Sequence, residues 1–210
     1  MTYDVAAAAA HLQRVEPRFA PLVERHGVPD LTPTKDPFQT LGRAIIYQQL
    51  AGAAAATIYK RFCARFGSAR FPRPAALAAA TPESLRPAGL SRGKALALID
   101  LATHFADGRV KPKALLAASD AELSAMLLPI RGIGPWSVDM FAMFGLGRPD
   151  VWPVGDFGVR QGLQYFLRMR AMPEGQRLAR VAEPWRPWRS LAAWYMWRVV
   201  EDRREKRPTR

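Results

Sequence analysis

The 210-residue sequence has little cysteine, few acidic residues and no long apolar run. Its one cysteine, Cys63, has no partner, which excludes an internal disulfide, a four-cysteine zinc site and a four-cysteine iron–sulfur cluster. The longest uncharged stretch of note, residues 44–59, is shorter than the roughly 20 apolar residues that span a bilayer. The start of the chain lacks the basic residues of a secretory signal, so we expect a soluble cytoplasmic protein.

Acidic residues are scarce relative to basic ones. The chain carries 31 Lys and Arg against 18 Asp and Glu, a formal charge of +13, which indicates a polyanionic partner. Between residues 37 and 99 the only acidic residue is Glu83. The basic residues of that segment are Arg43, Lys60, Arg61, Arg65, Arg70, Arg73, Arg86, Arg92 and Lys94. We expect the segment to face the polyanion, although solvation of helix surfaces would also account for such side chains.

Alternating Val, Ile and Thr runs, typical of strands, are missing as well, and apolar residues recur at helical spacing nearly throughout. The sequence therefore predicts an all-α fold. Helix starts are marked by Asp36, Thr81 and Ser119, whose side-chain oxygens can cap free N–H groups. The predicted helices cover residues 3–26, 38–66, 82–88, 91–107, 120–128, 134–145, 156–169, 174–182 and 187–205.

A glycine-rich turn follows one of these helices, where residues 131–136 read Arg-Gly-Ile-Gly-Pro-Trp. Gly132 and Gly134 let the backbone approach a ligand closely, and the turn opens a new helix whose N–H groups carry partial positive charge. Such a turn can bind a phosphate. Because any tight corner between helices also benefits from glycine, the turn alone leaves both interpretations open.

The second feature is Asp156, which ends the segment Val-Trp-Pro-Val-Gly-Asp at residues 151–156 and precedes another predicted helix. A lone Asp at this place is most often an ordinary helix cap. The helix dipole also favours the charged carboxylate, and an ionised carboxylate beside a sugar can stabilise an oxocarbenium-like transition state.

Taken together, these segments resemble the helix-hairpin-helix DNA glycosylase superfamily, in particular the 3-methyladenine DNA glycosylase II type. The pattern is the hairpin at 132–134, the Trp136-Ser137 pair and Asp156 about two dozen residues later. Two further segments agree: residues 43–50 resemble the family helix that enters the DNA, and residues 89–95 the loop and helix that follow it. The resemblance runs from about residue 38 to 200.

The resemblance implies a role for each matching residue. Asp156 is expected to be the catalytic carboxylate, and Gln49 is expected to enter the gap left by a flipped base. The implied base pocket contains Trp136, Trp197 and Met140. The implied DNA-binding residues are Gln48, Gln49, Gly132, Gly134, Ser137, Arg92 and Lys94. No cofactor is required, but the hairpin carbonyls of Leu128, Ile130 and Ile133 are expected to hold a structural monovalent cation.

The resemblance also implies two helical lobes with the active cleft between them. One lobe, residues 38–148, would contain the hairpin and the basic surface, and the other, residues 1–37 plus 149–210, would contain Asp156. Members that also nick DNA carry a Lys just after the hairpin, where this chain has Trp136. The substitution predicts a monofunctional enzyme, because Schiff-base chemistry needs that amine. Met140 stands where some members place an aromatic residue, and Gly155 where some place a second acid.

The expected function is hydrolysis of the N-glycosidic bond of alkylated bases, of the 3-methyladenine or 7-methylguanine type, in duplex DNA during base excision repair. The expected partner is damaged DNA, bound by a monomer that associates with the nucleoid. A non-catalytic helix-hairpin-helix protein that binds DNA or senses lesions is the alternative, with Asp156 serving only as a cap. A peripheral membrane protein, which would bind anionic vesicles, is a third reading of the charge.

Overall fold

The computed structural model describes residues 4–50 and 52–205, and within them the chain forms helices and no strands. The all-α prediction is confirmed. The helices are α1 Val5–Val15, α2 Ala20–His26, α3 Pro37–Tyr47, α4 Gly52–Ala64, α5 Pro74–Ala78, α6 Pro82–Leu85, α7 Arg92–Ala106, α8 Pro112–Ala117, α9 Asp120–Leu127, α10 Pro135–Met140, α11 Phe157–Phe166, α12 Gly175–Val181 and α13 Arg189–Glu205. In the part of the chain described, none of them is long and apolar enough to cross a bilayer.

The predicted helix over residues 3–26 is wrong as a single element, and its first residue lies outside the described range. α1 stops at Val15 because Glu16 adopts an extended conformation and Pro17 has no N–H to continue the helix. The Glu16 carboxylate accepts hydrogen bonds from the backbone and guanidinium of Arg18, which lower the pKa of Glu16. A short 3-10 turn over Pro17–Phe19 then leads into α2.

The predicted helix over residues 38–66 is also two helices. α3 ends at Tyr47, Gln48 turns to an extended ψ of 131°, and Gln49 lies in the left-handed region at a φ of 56°. No helix passes through such a residue. Continuous apolar spacing on both sides of the break led to the prediction of one helix.

Other boundaries differ more modestly. The short helices α5 and α8, which begin at proline, were not predicted because five or six residues carry too little periodicity. The prediction for 134–145 divides into α10 and a π-helical segment, Phe141–Gly145. The prediction for 82–88 divides into α6 and a 3-10 turn, Arg86–Ala88. α11 ends at Phe166, before Arg168 at a φ of 53°.

The chain forms two compact units. The central unit is Thr34–Phe141, and the discontinuous unit comprises the described residues before Thr34 and after Phe141. The predicted lobes have their boundaries at 37/38 and 148/149. In the core of the central unit, the ring of Phe38 lies 5.3 Å from that of Phe71 and 5.1 Å from that of Phe105.

The core of the discontinuous unit is also aromatic. The Phe19 ring packs against Phe166, Trp185 and Tyr195 at centroid distances of 4.6, 5.2 and 5.8 Å. Burial raises the pKa of Tyr195 to about 12, and its hydroxyl donates to the Gly27 carbonyl at 2.7 Å. This hydrogen bond connects α13 to the end of α2.

Candidate functional site

Asp156 caps the N-terminus of α11, as the sequence predicted for a helix start. Its Oδ1 accepts a hydrogen bond from the Val159 N–H at 2.7 Å, and its own N–H donates to the Pro153 carbonyl at 2.9 Å. Only 8% of the residue is exposed. The loop and the first turn of α11 therefore fix a nearly buried carboxylate in one orientation.

Trp197, on α13, contacts this carboxylate directly. Its indole Nε1–H donates to Asp156 Oδ1 at 2.9 Å, so one carboxylate oxygen receives both a backbone and an indole hydrogen bond. The Trp197 ring lies 5.8 Å from the Phe144 ring at an interplanar angle of 32°. Phe144 is 42% exposed and Phe157 59% exposed, so aromatic surface open to solvent lies beside the acid.

Two glycines on α11 permit this arrangement. A Cβ at Gly158 would lie 2.7 Å from Cδ1 of Trp197 and 3.1 Å from Asp156 Oδ1, and a Cβ at Gly162 would overlap the Met196 carbonyl. Neither glycine, nor Phe144, was identified from the sequence. The four-residue spacing of the glycines, which puts both on one face of a helix, was the available signal.

The hairpin lies in the central unit. α9 begins with a capping box, in which Ser119 and Glu122 bond each other's backbone N–H groups. After α9 the turn closes by a hydrogen bond from Ile133 N–H to the Ile130 carbonyl at 3.1 Å. Gly132, the third residue of this turn, has a φ of 78°, a left-handed value that favours glycine, and Gly134 is the N-cap residue of α10. The predicted glycine-rich entrance to a helix is present.

The hairpin packs on α7. A Cβ at Gly132 would lie 2.9 Å from the Ala97 Cβ, so the turn sits directly against that helix. Asp100, one turn further along α7, accepts the Arg131 N–H at 2.7 Å. Sequence reasoning missed Asp100, because its partner lies in another element and no local pattern connects the two.

Gln48 and Gln49, both predicted to contact DNA, differ in their surroundings. The Gln48 side-chain amide donates to the Gly132 carbonyl at 3.1 Å and lies 3.4 Å from the Ser137 hydroxyl. Gln49 is exposed at the tip of the α3–α4 loop, and Leu50 beside it is exposed too. The structure thus brings Gln48, Gly132 and Ser137 together and leaves Gln49 accessible to a ligand.

Lys94 and Arg92 lie in the first turn of α7. The Lys94 ammonium donates to the carbonyls of Ile46 and Gln48 at 2.7 and 2.6 Å, and burial lowers the pKa of this lysine. Arg92 is exposed. Contact of either side chain with DNA stays a prediction.

Trp136 and Met140 lie on α10, in the central unit, whereas Asp156 and Trp197 belong to the discontinuous unit. Trp136 is 45% exposed and Met140 is half-buried. Trp197 contacts Asp156 in the structure, through the indole hydrogen bond described above.

The carbonyls expected to hold a cation surround the hairpin turn. The Ile130 carbonyl accepts the Ile133 N–H, which leaves its second lone pair for a further partner, and Leu128 is the exposed C-cap residue after α9. Neutral oxygens of this kind fit a hard cation of low charge. Among residues 4–50 and 52–205 no cluster of three or more His, Cys, Asp or Glu side chains could hold a metal ion.

The basic side chains between residues 37 and 99 have no acidic partners among the described residues. Within the described residues, none of the nine predicted to face a polyanion forms an ion pair. The Arg43 guanidinium stacks on the Tyr47 ring at 4.9 Å, and Arg61, Arg65 and Arg70 are exposed. Arg109, later in the same unit, pairs with Asp107, and Arg25 in the discontinuous unit pairs with Asp202. A segment of nine basic residues that form no ion pair with the described residues is suited to binding an external anion.

Two helices, α9 and α10, joined by a tight turn that contains glycine, form a helix-hairpin-helix motif. The family model described as HhH-GPD superfamily base excision DNA repair protein matches residues 43–187, and the chain belongs to that family. The resemblance inferred from the sequence is confirmed.

Relatives and solved structures agree. The chain is 33% identical to DNA-3-methyladenine glycosylase 1 of Schizosaccharomyces pombe over 177 residues. The matched region covers 84% of this chain and 78% of the relative. The structure of the Schizosaccharomyces pombe 3-methyladenine DNA glycosylase in complex with abasic DNA matches with a TM-score of 0.82 and 31% identity, covering 93% of this chain and 97% of that one. A DNA-3-methyladenine glycosidase from Bacillus halodurans gives a TM-score of 0.80 at 30% identity, covering 95% and 91%.

Proposed function

We propose that this protein is a monofunctional DNA glycosylase that removes alkylated bases, of the 3-methyladenine or 7-methylguanine type, from duplex DNA in base excision repair. The observation that carries the proposal is the nearly buried Asp156 carboxylate, held by α11 and by the Trp197 indole beside exposed aromatic rings. The family membership and the names of the relatives support the same substrate class.

The chemistry follows from the charge of the substrate. Alkylation at a ring nitrogen makes a purine cationic, which weakens its bond to the sugar and makes the base a good leaving group. As that bond breaks, positive charge develops on the sugar, and the Asp156 carboxylate stabilises it. Water then attacks the anomeric carbon and loses a proton, so the products are a free base and an abasic site.

A cationic base is also suited to an aromatic pocket. The enzyme must first rotate the damaged nucleotide out of the stack, and the base then rests on aromatic faces. We assign this contact to Trp197, Trp136 and Met140. Attraction between the charged base and an indole face is worth about 2 kcal/mol when water is excluded, which favours alkylated over normal purines.

The sequence of α10 is the reason for proposing that the enzyme has no lyase activity. Strand cleavage by a glycosylase needs an amine that forms a Schiff base with the sugar, and α10 reads Pro-Trp-Ser-Val-Asp-Met with no lysine. Trp136 stands at the position where nicking relatives carry that residue. The abasic strand should therefore remain unbroken.

DNA binding is assigned to the central unit. The N–H groups at Gly132 and Gly134, with Ser137, would bind a phosphate at the start of α10, and Gln49 would fill the gap left by the flipped base. Arg92 and the other unpaired arginines between residues 37 and 99 would contact further phosphates. The carbonyls of Leu128, Ile130 and Ile133 would hold a monovalent cation that supplies positive charge near that phosphate. We place the monomeric protein in the cytoplasm, at the nucleoid.

The test compares the wild type with Asp156→Asn on methylated duplex DNA, with chromatographic identification of the released bases. Asparagine caps helices as well as aspartate does, so the variant should keep α11 and bind DNA with unchanged affinity. We expect free alkylpurines from the wild type only, and strands that break only after alkali treatment. Base release by the variant would refute the assigned mechanism. Tight binding without release by either protein would instead support a non-catalytic DNA-binding protein.

A further inference from the structure

Residues 48–50, which follow α3, form a loop with an unusual backbone conformation. Gln49 has a φ of 56°, a left-handed geometry that costs a non-glycine residue about 1 kcal/mol or more. Its side chain is exposed, and so is that of Leu50. A strained and exposed residue keeps its place only when the surrounding structure fixes it, which raises the question of what holds this loop.

Lys94 holds one side of the loop. Its ammonium donates to the carbonyls of Ile46 and Gln48, at 2.7 and 2.6 Å, where the last carbonyls of α3 have no helical partner. A positive charge at this end also complements the helix dipole. No carboxylate of the described residues forms an ion pair with Lys94. Its interactions are thus directed at the backbone of the loop.

The side chain of Gln48 provides a second contact that fixes the loop. Its amide donates to the Gly132 carbonyl at 3.1 Å, which connects the loop to the hairpin. The hairpin in turn contacts α7 at Ala97 and Asp100. Lys94, Ala97 and Asp100 follow one another at intervals of three residues, so one stripe of α7 supports both the loop and the hairpin.

We propose that Lys94 is a positioning residue, which holds the Gln48–Leu50 loop ready to enter DNA and does not itself bind a phosphate. The inference rests on the proposed glycosylase function and revises the DNA-binding role that the sequence gave to Lys94. It predicts a specific defect. Loss of the ammonium should impair the step in which the loop replaces a stacked base, while the chemistry at Asp156 continues once the base is out.

The experiment uses Lys94→Met, which keeps the length of the side chain and removes its charge. Single-turnover release is measured from a duplex with one 7-methylguanine, placed opposite cytosine or opposite an abasic site. We expect the rate on the paired substrate to fall by about tenfold or more, in the range that misplacement of a binding group costs. The rate opposite the abasic site, where the base is already unpaired, should stay within about twofold.

Arg92→Met is the matched control, since it removes one positive charge from the same turn of α7. If Arg92 contacts a phosphate, its loss makes the plot of log binding constant against log salt concentration less steep. The slope should change by about 0.9 on both substrates. Lys94→Met should leave that slope unchanged. A reduced slope for Lys94→Met, or equal loss of rate on both substrates, would overturn the proposal.

Gln48→Ala provides a second way to release the loop without removing a charge, and it should show the same preference for the unpaired substrate. Unstacking is read separately from 2-aminopurine fluorescence in bound duplexes, with the probe next to a mismatch. One outcome separates the two proposals: the wild type raises the 2-aminopurine fluorescence, Lys94→Met does not, and neither protein releases a base. In that case the glycosylase proposal fails and the role of Lys94 stands. If the wild type releases bases and Lys94→Met brightens the probe equally, the role of Lys94 fails alone.

Discussion

Asp156 illustrates how one residue serves both the fold and the proposed chemistry. Its Oδ1 caps α11 through the Val159 N–H and also accepts the Trp197 indole N–H. Both donors point at the same oxygen, so the carboxylate plane is set before any substrate binds. Preorganisation of this kind is what lets a charged group stabilise a developing cation without further reorganisation.

The indole hydrogen bond can be tested by Trp197→Phe. The change keeps an aromatic face but removes the donor to Asp156, and hydrogen bonds to charged groups are worth about 1.5–3 kcal/mol. We expect kcat for base release to fall by roughly 10- to 100-fold, with the affinity for DNA retained. Single-turnover rates at saturating enzyme, with filter-binding affinities, provide the measurement.

Trp152→Phe is the control for this change. The Trp152 indole lies in the same unit, and its N–H donates to the Leu178 carbonyl at 3.1 Å. Its loss should lower the melting temperature and leave kcat nearly unchanged. Equal effects of the two substitutions on kcat would mean that the Trp197 hydrogen bond acts through stability alone.

The helix caps that were predicted correctly from the sequence have local partners. The Asp156 carboxylate accepts the N–H of Val159, three residues ahead, and Ser119 and Glu122 form a capping box within one turn. Short-range sequence patterns are therefore enough to predict both caps. Lys94 and Asp100 bond backbone atoms more than 30 residues away in the chain. Their roles depend on how helices pack, and that information is not carried by local spacing.

At the scale of elements, the crossing of α11 and α13 positions Trp197 beside Asp156. A Cβ at Gly162 would overlap the Met196 carbonyl, and backbone atoms cannot move aside as a flexible side chain can. Gly162→Ala should therefore destabilise the protein by about 3 kcal/mol, the upper end of the usual range for overpacking. Urea denaturation followed by circular dichroism measures this.

Gly155→Ala is the matched comparison for Gly162→Ala. Nothing lies within 4 Å of a Cβ built at Gly155, although the residue is equally close to the candidate site. Its stability should change by less than about 0.5 kcal/mol, as for surface substitutions in general. A similar loss for both variants would show that helix crossing at Gly162 is not the cause.

The capping box of α9 should make the hairpin region sensitive to acid. Hydrogen bonds from the Ser119 N–H and hydroxyl, each 2.7 Å, lower the pKa of Glu122 below its ordinary 4.5. The stabilisation is therefore present above pH 4.5 and disappears as the pH falls through the lower folded-state value. Glu122→Ala should melt at a lower temperature at pH 7, and the difference should vanish in strong acid.

Thermal melts of both proteins across this pH range test the prediction. Glu24→Ala, which removes an exposed glutamate from α2 that makes no hydrogen bond or ion pair with the described residues, should change the melting temperature at pH 7 by less. A Glu122→Ala difference that persists unchanged in strong acid would show that the ionised carboxylate is not what stabilises α9.

Two helix boundaries show why elements were harder to predict than the fold class. Apolar spacing continues across Glu16–Pro17 and across Gln49, so both regions were predicted as single helices. Proline and an extended Glu16 end the first, and the contacts of Lys94 and Gln48 hold the break at the second. The first break had a visible signal in Pro17, whereas the second depends on tertiary contacts.

For the whole molecule, the distribution of paired and unpaired charge matters more than the total of +13. Arg61, Arg65 and Arg70 are exposed in the central unit and form no ion pair with the described residues. Arg18, Arg25 and Arg109 are equally exposed, but each pairs with a carboxylate. Counterion release depends on the cations that reach phosphates, so the unpaired set should dominate DNA binding.

Replacing Arg61, Arg65 and Arg70 together by Gln should weaken duplex binding. The slope of log binding constant against log salt concentration should also become less steep, by about 0.9 for each residue that contacts a phosphate. The same replacement of Arg18, Arg25 and Arg109 removes equal charge and should change the slope little, because those guanidinium groups are already neutralised. Affinities measured from 50 to about 200 mM salt decide between the two. Equal slopes for the two triple variants would mean that binding senses net charge alone, and that the unpaired arginines of the central unit do not form a defined DNA-binding surface.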